Sequence, residues 1–294
     1  MQSMWLARIA WMALAVVPGA LSVQRAADGA VPASFEVGRI TAVVLLWLAW
    51  AVVAFGMIVL HPLSLAAVRW LSPMIAVQVW WMAWFADDAP APWARLLAAV
   101  CAVVVLLVVV RADFGARHVQ AAAYGHERRH LLRPPVAVIL PSALVWLVAL
   151  TLGAMALHAE PSAYTAVAAI AGALVAAFGW WRVSVLARRW LVYVPAGIVV
   201  HDPLMLRDTF MVRRQDVRAL GVADNSPSSD ESFDITGTTW GRPVQITLAH
   251  LHDVSLSSFG ARMTRTLDRV HVRALRIAPT QPSLAVRTDA EGRV

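Results

Sequence analysis

Residues 162–202, SAYTAVAAIAGALVAAFGWWRVSVLARRWLVYVPAGIVVHD, hold two patterns that no single element satisfies. From Ser162 to Trp181 the run carries no charge, and about 20 apolar residues cross a hydrocarbon core as a helix. From Trp190 the chain turns β-branched and aromatic. WLVYV and GIVVH flank Pro195-Ala196-Gly197, which is turn chemistry. Arg182, Arg188 and Arg189 mark the change, so the chain leaves the membrane here and begins a β-rich aqueous part.

Towards the amino end, five more stretches reach spanning length: about 4–23, 40–60, 64–86, 93–110 and 135–158. With 162–181 they predict six transmembrane helices over residues 1–182. Composition agrees, being 60% hydrophobic and 15% charged, against about 25% charged in soluble domains. VPGALSV (17–23) has the small residues of a signal-peptide cleavage region. The preceding apolar run exceeds a typical signal core, which favours a retained helix.

Arginine placement predicts orientation. Loop 111–134 carries Arg111, Arg117, Arg128, Arg129 and Arg133 against Asp113 and Glu127. Arg182, Arg188 and Arg189 follow the last span. Both segments belong on the cytoplasmic side. DDAPAP (87–92) and HAEP (158–161) lack arginine and belong outside. Six crossings of a bacterial cytoplasmic membrane, with both termini inside, satisfy these loops together. Trp80, Trp81, Trp84 and Trp93 read as interface anchors at the outer ends, and Trp180, Trp181 and Trp190 at the inner end.

All 25 basic residues are arginines, a sign of GC-rich coding, so the charge of +7 does not indicate nucleic acid. It suits anionic headgroups on the cytoplasmic leaflet. Cys101 is the single cysteine and excludes an intrachain disulfide. Arg8, Arg69 and Arg95 lie near helix ends and are expected to snorkel. No Asp, Glu or His falls mid-span, which argues against a proton-coupled pump. Ala168, Gly172 and Ala176 space small residues for close helix approach.

Beyond 183 the pattern predicts a small β-rich domain to 277, of the size of a pleckstrin-homology-like module, and a largely disordered tail over 278–294. TFMVRRQDVRAL (209–220) supplies further strands, and residues 222–231 a polar acidic loop. SFDITGTTWGRPVQITLAH (232–250) reads as a hairpin. Phe259, Met263 and Leu267 form a helical stripe within 256–270, and 271–279 is again strand-like.

One motif suggests chemistry. His126-Glu127-Arg128-Arg129-His130 fits H-E-x-x-H, which binds zinc when a helix turns both imidazoles to one metal. Here it lies in a short cytoplasmic loop closed by Pro134-Pro135, without a mid-span carboxylate as third ligand; His118 is poorly spaced. His250 and His252 share a strand face without a further ligand. The residues read as a basic juxtamembrane loop, with no catalytic, metal or cofactor site.

YGHERRHLLRPP (124–135) and RRWLVYVPAGIVVHDPLMLRD (188–208) resemble a family of uncharacterised actinobacterial multi-pass membrane proteins. There the loop reads Tyr-Gly-Asp-Glu-Arg-Arg, so His126 and His130 depart from it. The resemblance covers about half the chain and implies an architecture rather than an activity. The expected role is a non-enzymatic accessory or scaffold component of a membrane or envelope complex. Arg128, Arg129, Arg133, Arg188, Arg189 and Trp190 would contact anionic lipid or a protein partner. Alternatives are a membrane zinc metallopeptidase using His126, Glu127 and His130, and a channel or carrier for an uncharged or lipid-like substrate.

Overall fold

Among the described residues, five helices carry runs long and apolar enough to cross a membrane: Ile40–Ile58, Pro62–Trp80, Pro92–Val109, Val136–Ala156 and Ala163–Leu186. The computed structural model describes residues 2–16, 33–85, 91–158, 162–224 and 232–291. The chain forms two compact units, Met1–Gly115 with Val145–Trp180 and Ala116–Leu144 with Trp181–Val294. The expected boundary at 182 therefore misses one exchange, because 116–144 goes with the β-rich part. The cleavage-like segment 17–23, most of the loops expected outside and residues 225–231 lie outside the described residues.

The first unit contains α1 (Gln2–Leu14), α2 (Ala33–Ile58), α3 (Pro62–Phe85), α4 (Pro92–Val109) and most of α6 (Val136–His158) and α7 (Ala163–Leu186). The expected first span, 4–23, is described as a helix only over α1. Leu48, Phe55, Leu107, Leu147 and Leu174 are exposed on the bundle surface, as a lipid-facing surface requires. Apolar contact gives helices little reason to associate in lipid, so packing and hydrogen bonds decide. Trp11 and Trp50 each donate an indole N–H to the other's carbonyl, at 3.1 and 3.2 Å, with their rings stacked.

Two arginines behave differently from the snorkelling expected of them. Arg8 donates to the Met57 carbonyl at 2.8 and 3.0 Å, and Arg69 to the Val109 and Arg111 carbonyls at 3.0 and 3.2 Å. Met57 and Val109 end α2 and α4, where carbonyls lack intrahelical donors and the helix dipole is negative. A guanidinium satisfies both needs. The small-residue stripe acts as expected: a Cβ on Gly172 would stand 3.2 Å from that of Leu152, so α6 and α7 approach closely there.

The second unit is built on two four-stranded sheets. The first has the order β1 (Arg128–Leu131), β2 (Trp190–Val194), β3 (Gly197–His201), β4 (Phe210–Arg213), all antiparallel. The second has the order β5 (Val217–Val222), β7 (Val244–Ser255), β8 (Arg269–Ile277), β6 (Ser232–Asp234). Alternation along the strands turns Leu191, Tyr193, Ile198, Val200, Phe210 and Val212 of one sheet towards Val217, Ile246, Leu248, Leu275 and Ile277 of the other, giving one apolar core. Each such side chain contributes about 1.5–3 kcal/mol on burial.

Pro195-Ala196 makes the tight turn between β2 and β3, as expected. The expected hairpin over 232–250 does not form. β6 pairs with β8 in parallel, while β7 pairs with β5 and β8; β8 lies between the two expected partners. The stretch 111–134 forms α5 (Ala112–Ala121) and β1 rather than a plain loop. The expected tail is ordered as far as it is described, through Glu291. α9 (Pro282–Glu291) packs on the core through fully buried Ala285, starting from a proline at its first position.

α8 (Ser258–Thr264) is shorter than the stripe predicts. Ser257 caps it by accepting from the Gly260 N–H, and Arg265 in the left-handed region ends it, leaving Leu267 outside and exposed. Gly260 is required for close approach: a Cβ there would lie 2.1 Å from the Met205 carbonyl oxygen. Gly260→Ala is expected to push α8 off the 202–206 turn and destabilise the domain by on the order of 2–3 kcal/mol. Gly221→Ala, which meets nothing within 4 Å, is the matched control. Thermal unfolding in detergent checks this; equal midpoints for the two variants refute it.

Candidate cationic and aromatic surface

β1 explains what became of the H-E-x-x-H motif. Residues 128–131 are extended, so four residues of separation no longer turn two side chains to one point as they do on a helix. His126 is exposed before the strand, while His130 is buried against Tyr193, ring to edge at 5.5 Å. His118 is buried on α5. Among the described residues no three His, Cys, Asp or Glu side chains converge to hold a metal. His252 lies 4.0 Å from Asp216, and His271 pairs with Asp253, so that end of the domain is likewise a set of separate pairs.

Glu127 instead orders the loop. It accepts from Arg129 at 2.7 and 3.0 Å and from the Tyr124 N–H at 3.2 Å. The Arg129 hydrogen bond holds its carboxyl below the usual carboxylate range. Gln120 on α5 clamps the same segment, donating to the Glu127 carbonyl and accepting from the Arg129 N–H, both at 2.9 Å. Arg129 is thereby fixed with its guanidinium 5.3 Å from the Trp190 ring. Trp190 stacks on His201 at 5.1 Å, and His201 Nδ1 shares a hydrogen bond with Thr209 at 3.0 Å. The result is a column, Glu127–Arg129–Trp190–His201–Thr209. Burial pushes the His201 pKa down, with Arg188 and Arg129 adding and Asp202 opposing.

Of the six residues expected to contact lipid or partner, four lie wholly or partly at the surface. Arg128 and Arg188 are exposed, and Arg129 and Trp190 are half-buried in the column. The other two are corrected. Arg189 is 1% exposed and forms two hydrogen bonds with Asp202, at 2.6 and 2.7 Å, and one with the Arg133 carbonyl at 2.7 Å. Arg133 is 8% exposed and donates to the Trp240 and Arg242 carbonyls at 2.6 and 3.3 Å. Both arginines stitch separate segments together and cannot reach a headgroup.

His201 and Gln120 were missed by sequence reasoning. The visible signal for His201 was its place one turn of hairpin across from Trp190; for Gln120 there was none. Charge is also unevenly divided. The second unit holds 19 arginines against 12 carboxylates, a net +7, while the first holds six of each. A depression lined by Arg207, Asp208, Ser255, Asp268 and Arg269 presents both signs of charge. No known protein family, curated protein or solved structure matches the chain.

Proposed function

We propose that this multi-pass membrane protein is a non-enzymatic accessory or scaffold component of a cytoplasmic-membrane or cell-envelope complex. Its contact surface is Arg128, Arg129, Arg188 and Trp190, and what it contacts is anionic. The observation that carries this reading is the column: one guanidinium ordered over an indole, beside Arg128 and Arg188, which are exposed and make no ion pair among the described residues. Stacked arginine is preorganised for carboxylate or phosphate.

The same reading takes α1 as a sixth crossing with both termini inside. Ser3 donates to Asp113 at 3.1 Å, which supports the amino end of α1 lying on the side of loop 111–134. It takes the β-rich part as pleckstrin-homology-like, supported by two sheets around one core with a carboxy-terminal helix packed on it. The actinobacterial membrane family remains the expected kinship.

The test replaces Arg128, Arg129 and Arg188 together by Gln. Each basic residue near an anionic surface contributes about 1 kcal/mol, so at least a tenfold drop is expected in recovery of co-purifying protein in mild detergent or in affinity for anionic vesicles. Unchanged values for both, with the domain folded, overturn the reading.

A further inference from the structure

The Trp240 loop is the surface that the scaffold reading leaves unused. Residues 235–243 join β6 to β7 and present an indole that is 55% exposed. The loop is held rather than loose, so it presents the ring in a fixed place. Arg133, itself buried, donates to the Trp240 and Arg242 carbonyls on either side of Gly241. Gly241 has φ +81°, and a Cβ there would meet the Arg133 guanidinium at 2.6 Å. Gly237 has φ +69°, and its Cβ would meet Pro135 at 2.8 Å. Two glycines thus let the loop press against the segment Arg133–Pro135.

That segment fixes the depth of the loop. Pro135 immediately precedes Val136, where an apolar span begins. Val136 and Leu140, in the same unit, are exposed as lipid-facing residues. The feet of α6 and α7 also pack on this unit, with Val138 and Leu186 against Leu204 and Phe259. At most about 10 Å of extended chain separates Gly237 from Trp240. The headgroup zone on each side of the hydrocarbon core is roughly 5–8 Å thick. Indoles prefer that zone, where the ring is apolar and the N–H finds a partner.

We propose that Trp240 inserts into the lipid interface of the leaflet at which α6 begins, as a membrane anchor of the β-rich unit, with Arg242 alongside it at the headgroups. Arg242 is exposed and pairs with exposed Asp224 at 2.8 Å; a pair so open to solvent contributes little, so headgroup phosphate competes for it. Arg133 is the positioning residue that aims the loop. The occupant is the bilayer that the spans already require. The inference does not rest on the scaffold reading and survives its failure.

The test uses the full chain in lipid nanodiscs, with Cys101→Ala removing the single native thiol. Trp240→Cys and Arg242→Cys, at exposed positions, each carry an environment-sensitive fluorophore. Leu267→Cys is the control. It is 78% exposed and lies beyond the far end of β8, whose nine residues span roughly 30 Å from the Ala278 end that pairs with Arg133. Lipid carrying a nitroxide near the headgroup is expected to quench the labels at 240 and 242 at least threefold more than that at 267, with aqueous iodide showing the reverse order. Iodide quenching at 240 and 242 equal to that at 267, without nitroxide quenching, overturns the proposal. So does shielding from both quenchers, which means protein covers the loop. A label at 242 that behaves as expected keeps the test valid should the 240 variant misfold.

Discussion

Asp202→Ala is expected to cost the β-rich domain about 3–5 kcal/mol, the range for breaking one side of a buried ion pair. The carboxylate is fully buried and does four things at once. It receives both forks of Arg189, at 2.6 and 2.7 Å, and accepts the Leu204 and Met205 N–H groups, each at 3.2 Å. Its loss leaves a guanidinium 1% exposed with, among the described residues, only the Arg133 carbonyl to offset its charge. The 202–206 turn, on which α8 rests through Gly260 and Ser257, loses the single oxygen, Asp202 Oδ1, that accepts both of its N–H groups.

Asp202→Asn keeps the shape and one acceptor and is expected to cost less. Arg189→Met combined with Asp202→Leu removes both charges and is expected to fall well short of the sum of the single changes, since no uncompensated charge remains. Hydrogen exchange across β2, β3 and 202–206, on the full protein in detergent, measures this region directly. If Asp202→Ala exchanges like the native chain there, the pair is not structural. The consequence for function is indirect but definite. Arg189 precedes Trp190, so loss of the pair frees the start of β2 and disperses the column.

The membrane half was legible because period and length suffice for it. The run Ser162–Trp181 specifies a helix whatever lies around it, and WLVYV–Pro-Ala-Gly–IVVH specifies its own hairpin because the partners adjoin. The failures share one physical cause: partners far apart in sequence. Ser232–Asp234 carries strand character but not the fact that β8 rather than β7 accepts it. Arg-Arg-His-Leu has no β-branched residue, and it is extended because β2 offers an edge to pair with. Arg133 and Arg189 look like the exposed arginines beside them. Only Asp202, thirteen residues from Arg189, and the carbonyls on either side of Gly241 show that they are buried. Spacing suggested zinc at 126–130 because the motif assumes a helix, and strand geometry removed that assumption.

His130, the residue that made the motif suggestive, is expected to make the domain acid-sensitive. Burial, with Arg128 nearby, lowers its pKa from the usual 6.5 to about 4. Its Nε2 has no hydrogen-bond partner among the described residues, so it is held neutral in apolar surroundings beside Tyr193. The unfolded chain binds a proton near pH 6.5 and the folded chain only near pH 4. Between those values the unfolded state holds more protons, so stability rises with pH. The stabilisation is fully present above 6.5 and is lost as pH falls through about 4, for a total of about 3 kcal/mol. Roughly 2 kcal/mol of it is gone by pH 5.

The choice of window separates His130 from the carboxylates. Glu127, held low by Arg129, also loses its contribution in acid, but only on protonation below its unfolded value near 4.5. Between pH 6.5 and 5 the slope therefore belongs to histidine. His130→Leu removes the titrating group and an unsatisfied polar atom together, and is expected to leave stability at pH 7 equal or slightly higher while flattening that slope. His201, also lowered by burial, contributes in the same direction, so His201→Gln is run beside it and the residual slope in each variant apportions the effect. Unfolding midpoints at half-unit steps from pH 7 to 5 decide the matter. A His130→Leu protein with the native slope shows that the imidazole is not buried as described, and the packing of β1 against β2 fails with it.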